Sequence, residues 1–173
     1  IWVVDEYAMA IAAAAFPAVT IRQKRDFYAD EQLREIAPSR DVHDAELLYL
    51  LEPVRSNWNR NEPGEFQALR YFLERFTRLN LPPELAIRLR PHPSDDPAKY
   101  DEFLGSCGAS RIVLDSGNLA ASMSRARWVA GCQTYALTLA LRSGRKVFCT
   151  LPPWAPPCTL PHAGLVHIKL LDT

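Results

Sequence analysis

Short runs rich in β-branched and aromatic residues alternate with helical stretches along the chain, and this alternation limits the possible folds more than any other feature. Strand-like runs fall at residues 2–4, 19–22, 47–51, 86–89, 111–113, 128–130, 146–150 and 165–169. Parallel strands need a crossover between neighbours, and helical segments supply it. The pattern therefore predicts an α/β fold, a Rossmann-like parallel sheet with helices on both faces. At 173 residues the chain can bury a core of its own, so residues 1–173 are expected to form a single α/β domain.

The intervening helices have periods that can be checked. Phe66, Leu69, Phe72, Leu73, Phe76 and Leu79 recur at three- and four-residue steps, opposite Arg70, Glu74, Arg75 and Arg78, which predicts an amphipathic helix covering one sheet face. Residues 134–141 are apolar almost all round and predict a buried helix, stopped by Gly144. Residues 7–16 (YAMAIAAAAF) predict another buried helix. That run is about half the roughly 20 residues needed to cross a bilayer, and an acidic pair, Asp5 and Glu6, precedes it, so it reads as neither anchor nor signal peptide. Asp30 is expected to cap a helix over residues 31–36. Clustered prolines in residues 151–164 (LPPWAPPCTLPHAG) exclude helix and predict a stiff extended loop able to wall a pocket. The chain opens on Ile1 directly into a strand-like run, as expected of a fragment or processed chain.

Lys plus Arg equals Asp plus Glu at 20 each, so no summed charge draws the chain to nucleic acid or an anionic membrane. Any anion site must be local. The four cysteines, Cys107, Cys132, Cys149 and Cys158, form no C-x-x-C pair and no zinc spacing, and are too sparse for a disulfide framework. They read as reduced packing thiols of a cytoplasmic protein.

Three stretches carry chemistry. In residues 87–100 (IRLRPHPSDDPAKY) an apolar strand delivers Arg88 and Arg90, then His92 and Pro93 at its carboxyl end, where ligands bind in open parallel sheets. His92 is placed to donate to a phosphate oxygen, and Pro93 holds it extended. The alternative is that His92 only bonds a carbonyl in a turn. Ser94, Asp95 and Asp96 offer caps for the helix that follows, Ser94 being also a candidate phosphate contact, and Asp95 and Asp96 read as caps rather than metal ligands. In residues 128–154 a short strand ends at Gly131, and a helix starts near Thr134 with its unpaired N–H groups at the same edge, a favourable place for phosphate. Gln133, Thr134 and Tyr135 stand there, with plain N-capping by Thr134 as the alternative. After the third strand Glu52 is a candidate acceptor for a ribose or base and Arg55 a phosphate partner, or the two form a solvated salt bridge. Acidic residues after the first strand, Asp5 and Glu6, also occur in receiver domains, but Glu52 stands where such a domain has Asp.

The order of strand, HP, acidic turn, K-Y, then G-x-x-T-Y-A-L at a helix start and a Pro-rich loop resembles the C-terminal domain of GT-B glycosyltransferases. Bacterial sialyltransferases and related capsule or lipopolysaccharide enzymes, with an HP and a Ser/Thr motif, are most similar. The resemblance is specific across residues 88–100 and 131–140. It implies that His92 and Pro93, with Thr134 and less strongly Gln133 and Tyr135, hold the phosphate and ribose of a nucleotide-sugar of CMP or UDP type. Gln133 departs from a second hydroxyl residue. The family's catalytic carboxylate belongs to an N-terminal domain that nothing here matches, so the donor half is expected without the acceptor half.

The implied reaction moves a sugar to a glycan acceptor without a metal or other cofactor, His92 and the helix start at Thr134 stabilising the departing phosphate. The candidate contacts are Arg90, His92, Pro93, Ser94, Gly131, Gln133, Thr134, Tyr135, Glu52 and Arg55. A nucleotide-binding or regulatory module without turnover, and an epimerase-like domain acting on a UDP-sugar, are the alternatives.

Overall fold

The computed structural model describes residues 1–38, 46–107 and 111–171. In chain order its elements are β1 (Trp2–Val3), α1 (Glu6–Ala15), β2 (Arg22–Gln23), α2 (Phe27–Glu35), β3 (Glu46–Leu50), α3 (Gly64–Glu74), β4 (Ile87–Arg90) and α4 (Asp101–Cys107), then β5 (Ile112–Leu114), α5 (Leu119–Arg125), β6 (Ala126–Gly131), α6 (Tyr135–Arg142), β7 (Lys146–Cys149) and β8 (Leu165–His167). Every strand-like run of the sequence overlaps one of these strands.

Six strands form one sheet in the order β5-β4-β3-β6-β7-β8, and every pairing in it is parallel. The chain enters at the centre on β3, steps outward through β4 to β5, returns to the other side of β3 as β6, and steps outward again. Right-handed crossovers in opposite directions put the helices of the two halves on opposite faces. The fold is therefore the Rossmann-like α/β sheet that the alternation predicts. Where β3 and β6 lie side by side the direction of winding reverses, and a crevice opens outside their carboxyl ends.

Strand β3 shows why this sequence takes the centre. A strand covered on both faces must be apolar at successive positions, and Leu47, Leu48, Tyr49 and Leu50 are all buried. Side chains alternate across the sheet. Leu47 and Tyr49 pack with Leu69 and Phe72 of α3, with Ile87 and Leu89, and with Phe103 of α4. Leu48 and Leu50 face the other way, with Leu137 and Leu139 of α6, Met123 of α5 and Ala29 of α2. The Phe66 to Leu79 period resolves into α3 and a 3-10 turn, Phe76–Leu79, ended by Asn80 in the left-handed region at φ 53°. Arg145, buried beyond α6, donates to the carbonyls of Met123 (3.2 Å), Ala126 (3.2 Å), Ser143 (2.8 Å) and Ala37 (2.5 Å), tying the ends of α2, α5 and α6 together. Four acceptors satisfy a guanidinium whose burial holds its pKa below the usual arginine value.

Three expectations need correction. Strands β1 and β2 do not join the large sheet but pair in parallel with each other, Trp2 opposite Arg22. Residues 6–15 do form helix α1, yet only Ala12 is buried, and Ile11 is 61% exposed. A two-stranded ribbon is too narrow to cover a helix that is apolar all round. Helix α2 starts earlier than expected and is capped by Asp26, whose Oδ1 accepts from Ala29 N at 3.0 Å. Asp30 instead lies in the first turn, paired with Arg25 and with Arg142 at 3.2 Å.

Residues 151–164 contain neither helix nor strand, as their prolines require. The loop is pinned by Trp154, whose Nε1 donates to Gln67 Oε1 at 2.7 Å beneath the guanidinium of Arg60. The side chain of Cys107 lies outside the described residues. No helix among the described residues is long and apolar enough to cross a membrane.

Candidate functional site

A cleft of about 320 Å³ lies at the carboxyl edge of the sheet, where the winding reverses. Arg90 and His92 enter it from the end of β4, Leu50 and Leu51 from the end of β3, and Thr134 and Tyr135 from the start of α6. Tyr28 and Gln32 of α2 and Leu119 of α5 close the other side. The walls are mostly apolar with a few convergent polar groups, the usual make-up of a small-molecule site.

His92 is exposed, and its Nδ1 is occupied locally. Ser94 N donates to Nδ1 at 3.2 Å, and Ser94 Oγ lies 2.7 Å from the same nitrogen. A backbone N–H aimed at Nδ1 needs the lone pair there, which assigns the neutral ring's proton to Nε2. The imidazole thus presents an N–H donor without having to be cationic. The turn carrying it is closed by Asp95 N donating to His92 O at 2.9 Å. Behind it, Lys99 Nζ bridges Asp95 (2.7 Å) and Glu65 of α3 (3.0 Å), and the Tyr100 hydroxyl donates to Asp95 at 2.9 Å. Burial raises the Asp95 carboxyl, but the bonds from Lys99 and Tyr100 outweigh it and hold its pKa below the usual value; Glu65, more deeply set, is raised by burial. The K-Y pair therefore braces the HP turn. Asp96 caps the following 3-10 turn, accepting from Ala98 N at 3.0 Å.

The start of α6 is already engaged by an anion of the chain itself. Glu52 Oε1 accepts from Gln133 N at 2.6 Å and Thr134 N at 2.8 Å. Burial pushes its carboxyl above the usual 4.5, against the opposing pull of the N–H groups of Gln133, Thr134 and Cys132 and of nearby His92. Thr134 Oγ1 accepts from Ala136 N as the N-cap. Two of the donors expected for a phosphate are thus held by Glu52.

The cleft gathers Arg90, His92, Pro93, Thr134 and Tyr135, but not Ser94, Gly131, Gln133, Glu52 or Arg55. Ser94 acts on His92. Arg90 is tied through Nη1 to Asp115 Oδ2 (2.9 Å) and the Gly117 carbonyl, and Asp115 also accepts from Arg125 at 3.1 Å. The Arg90 guanidinium thus anchors the turn after β5. At Gly131 a Cβ would come 3.0 Å from Leu50 O, so glycine is what lets β6 and β3 meet at the crevice. Gln133 Oε1 accepts from Thr159 N (3.1 Å) and Oγ1 (3.2 Å), fastening the proline-rich loop. Arg55 is exposed and outside the cleft, and the salt bridge considered for it with Glu52 does not form, since Glu52 has turned to the backbone of the neighbouring strand's turn. Tyr28, Gln32 and Leu119 had no local signal, because only the packing of α2 and α5 brings them to this edge.

A larger cavity, about 700 Å³, lies between the β1-α1-β2 unit and α6. Its charges largely neutralise one another: Arg142 pairs with Asp26 (3.3 Å) and Asp30 (3.2 Å), and the Tyr135 hydroxyl donates to Asp26. Size alone favours it. The smaller cleft is the better candidate because it sits at the switch point and holds a donor that the chain positions but does not use. Compared with protein-family models and with curated proteins, the chain matches none.

Proposed function

We propose that the cleft binds a nucleotide-sugar of CMP or UDP type, and that the chain carries the donor-binding part of a metal-independent glycosyltransferase acting on surface glycans. The observation that carries this reading is that His92 and Thr134, from separate turns, line the same cleft at the switch point. The apolar walls from Leu50, Leu119, Ala136 and Leu139 suit a planar base. The His92 Nε2–H suits a phosphate oxygen, and a hydrogen bond to a charged group is worth on the order of 1.5–3 kcal/mol.

In such a reaction the bond between the sugar and the phosphate breaks, and negative charge grows on the departing phosphate. A donor fixed in advance stabilises that charge at little cost in reorganisation. His92 has this character, because Ser94 sets its tautomer and the Lys99 network braces its turn. Glu52 limits what the helix start adds, since the N–H groups of Gln133 and Thr134 are occupied. That occupation favours a second reading, a module that holds a nucleotide without turning it over.

Calorimetry with CMP, UDP and GDP tests the binding step. The reading expects CMP or UDP to bind and His92→Ala to weaken that binding. A sugar-transfer assay with CMP- and UDP-sugars then separates an enzyme from a binding module. No measurable heat with any of the three nucleotides would count against both readings.

A further inference from the structure

The carboxyl ends of β6 and β7 bring three cysteines together away from the ligand cleft. Cys132 and Cys149 are buried, and Cys158, in the proline-rich loop, is half-buried. The Cys149 thiol donates to the Cys132 carbonyl at 3.1 Å, and the Cys158 sulfur reaches the same oxygen at 4.0 Å. The sulfurs of Cys149 and Cys158 thus converge on one carbonyl oxygen. The segment between them, TLPPWAPP, contains four prolines and is anchored at Trp154. A loop that stiff holds its ends at a set separation. The Cys132 sulfur lies 3.8 Å from Thr150 Oγ1.

We propose that Cys158 and Cys149 form a peroxide-responsive pair, in which Cys158 is oxidised first and Cys149 resolves it to a disulfide that staples the proline-rich loop to the end of β7. In the first step the Cys158 thiolate attacks one oxygen of hydrogen peroxide. The O–O bond breaks, hydroxide leaves and is protonated to water, and Cys158 becomes a sulfenic acid. In the second, the Cys149 sulfur attacks the sulfenic sulfur, the S–O bond breaks, and the departing hydroxide takes the Cys149 proton to leave as water. Two thiols and one peroxide give one disulfide and two waters. Burial pushes the Cys149 thiol up to about 12, so it keeps its proton until that second step, while Cys158 has the access to solvent the first step needs. Thr159, adjacent to Cys158, is bonded to Gln133, so the staple acts on the loop that abuts the start of α6.

The test is peptide mapping of the whole chain after treatment with hydrogen peroxide and alkylation of the remaining thiols. The expected product is a Cys149–Cys158 crosslink that dithiothreitol reverses. Cys158→Ser abolishes it, Cys132→Ala retains it, and Cys149→Ala leaves Cys158 as a sulfenic acid that dimedone captures. If Cys149→Ala does not fold, the wild-type map and the other two variants decide. The proposal is overturned if wild-type Cys158 passes to sulfinic or sulfonic acid without a crosslink, if either sulfur pairs with Cys132 or Cys107 instead, or if no thiol reacts.

Discussion

Glu52 Oε1 stands 2.8 Å from the backbone nitrogen of Thr134 and joins the two halves of the sheet across the point where their winding reverses. A half-buried carboxylate here does the work of a bound anion, satisfying N–H groups that the start of α6 would otherwise leave open. Removing the acceptor and removing the charge are therefore different experiments. Glu52→Ala leaves two donors without a partner and is expected to cost about 1–3 kcal/mol in chemical denaturation.

Glu52→Gln keeps an acceptor and removes the charge. Burial raises the Glu52 carboxyl above 4.5 in the folded chain, so the folded state favours the protonated form. The stability this contributes is fully present below about pH 4.5 and is lost as pH rises through the folded pKa. The variant should match the wild type in melting temperature at low pH and exceed it as pH rises to neutrality, by roughly 2–4 °C, the scale of 1 kcal/mol in a chain of this size. A gap that stays constant with pH, or widens on acidification, contradicts the assignment.

The same substitution reports on the cleft. Glu52 lies close enough to His92 for their charges to interact, so it opposes a phosphate brought to that ring. Glu52→Gln should tighten binding of CMP or UDP on the order of 3- to 10-fold, as expected for the loss of one like charge a few ångströms away at a protein surface. Calorimetry at fixed ionic strength measures this, and weaker binding would show that Glu52 contacts the ligand directly.

The architecture was legible because its signals are local. The run Leu47 to Leu50 reads as a doubly buried strand, and Leu137 and Leu139 as core, from the residues alone. The order of strands was not, since nothing in β6 announces that it returns to the far side of β3. The HP turn and the helix at Thr134 were found from sequence, but Glu52 acts on residues more than eighty positions away, beyond any local pattern. Helix α1 misled for the opposite reason. Its apolar composition signals burial, whereas exposure depends on what the fold sets against it, here a two-stranded ribbon.

Lys99 is expected to matter for the HP turn rather than for ligand contact. Lys99→Met leaves Glu65 and Asp95, both nearly buried, without their shared cation. Breaking a buried pair costs several kcal/mol, and since Lys99 is 29% exposed a discounted loss of about 1–3 kcal/mol is expected in chemical denaturation. No change in stability would mean that solvent already screens the three charges.

Substitution also separates site from scaffold. His92 is exposed, so His92→Ala should leave circular dichroism and melting unchanged while weakening nucleotide binding roughly 10- to 150-fold, the equivalent of one charge-assisted hydrogen bond. Leu137 is fully buried against β3, and Leu137→Asp should unfold the domain. Should both variants lose structure together, His92 is a packing residue.

The most direct test is a map of backbone amide shifts in two-dimensional NMR as CMP and UDP are titrated into the labelled chain. The account predicts perturbations at His92, Ser94 and Thr134 to Ala136, with Tyr28 and Gln32 following, and little change at Asp5, Tyr7 or His162. Shifts confined to the larger cavity beside α1, or none at millimolar nucleotide, would contradict it.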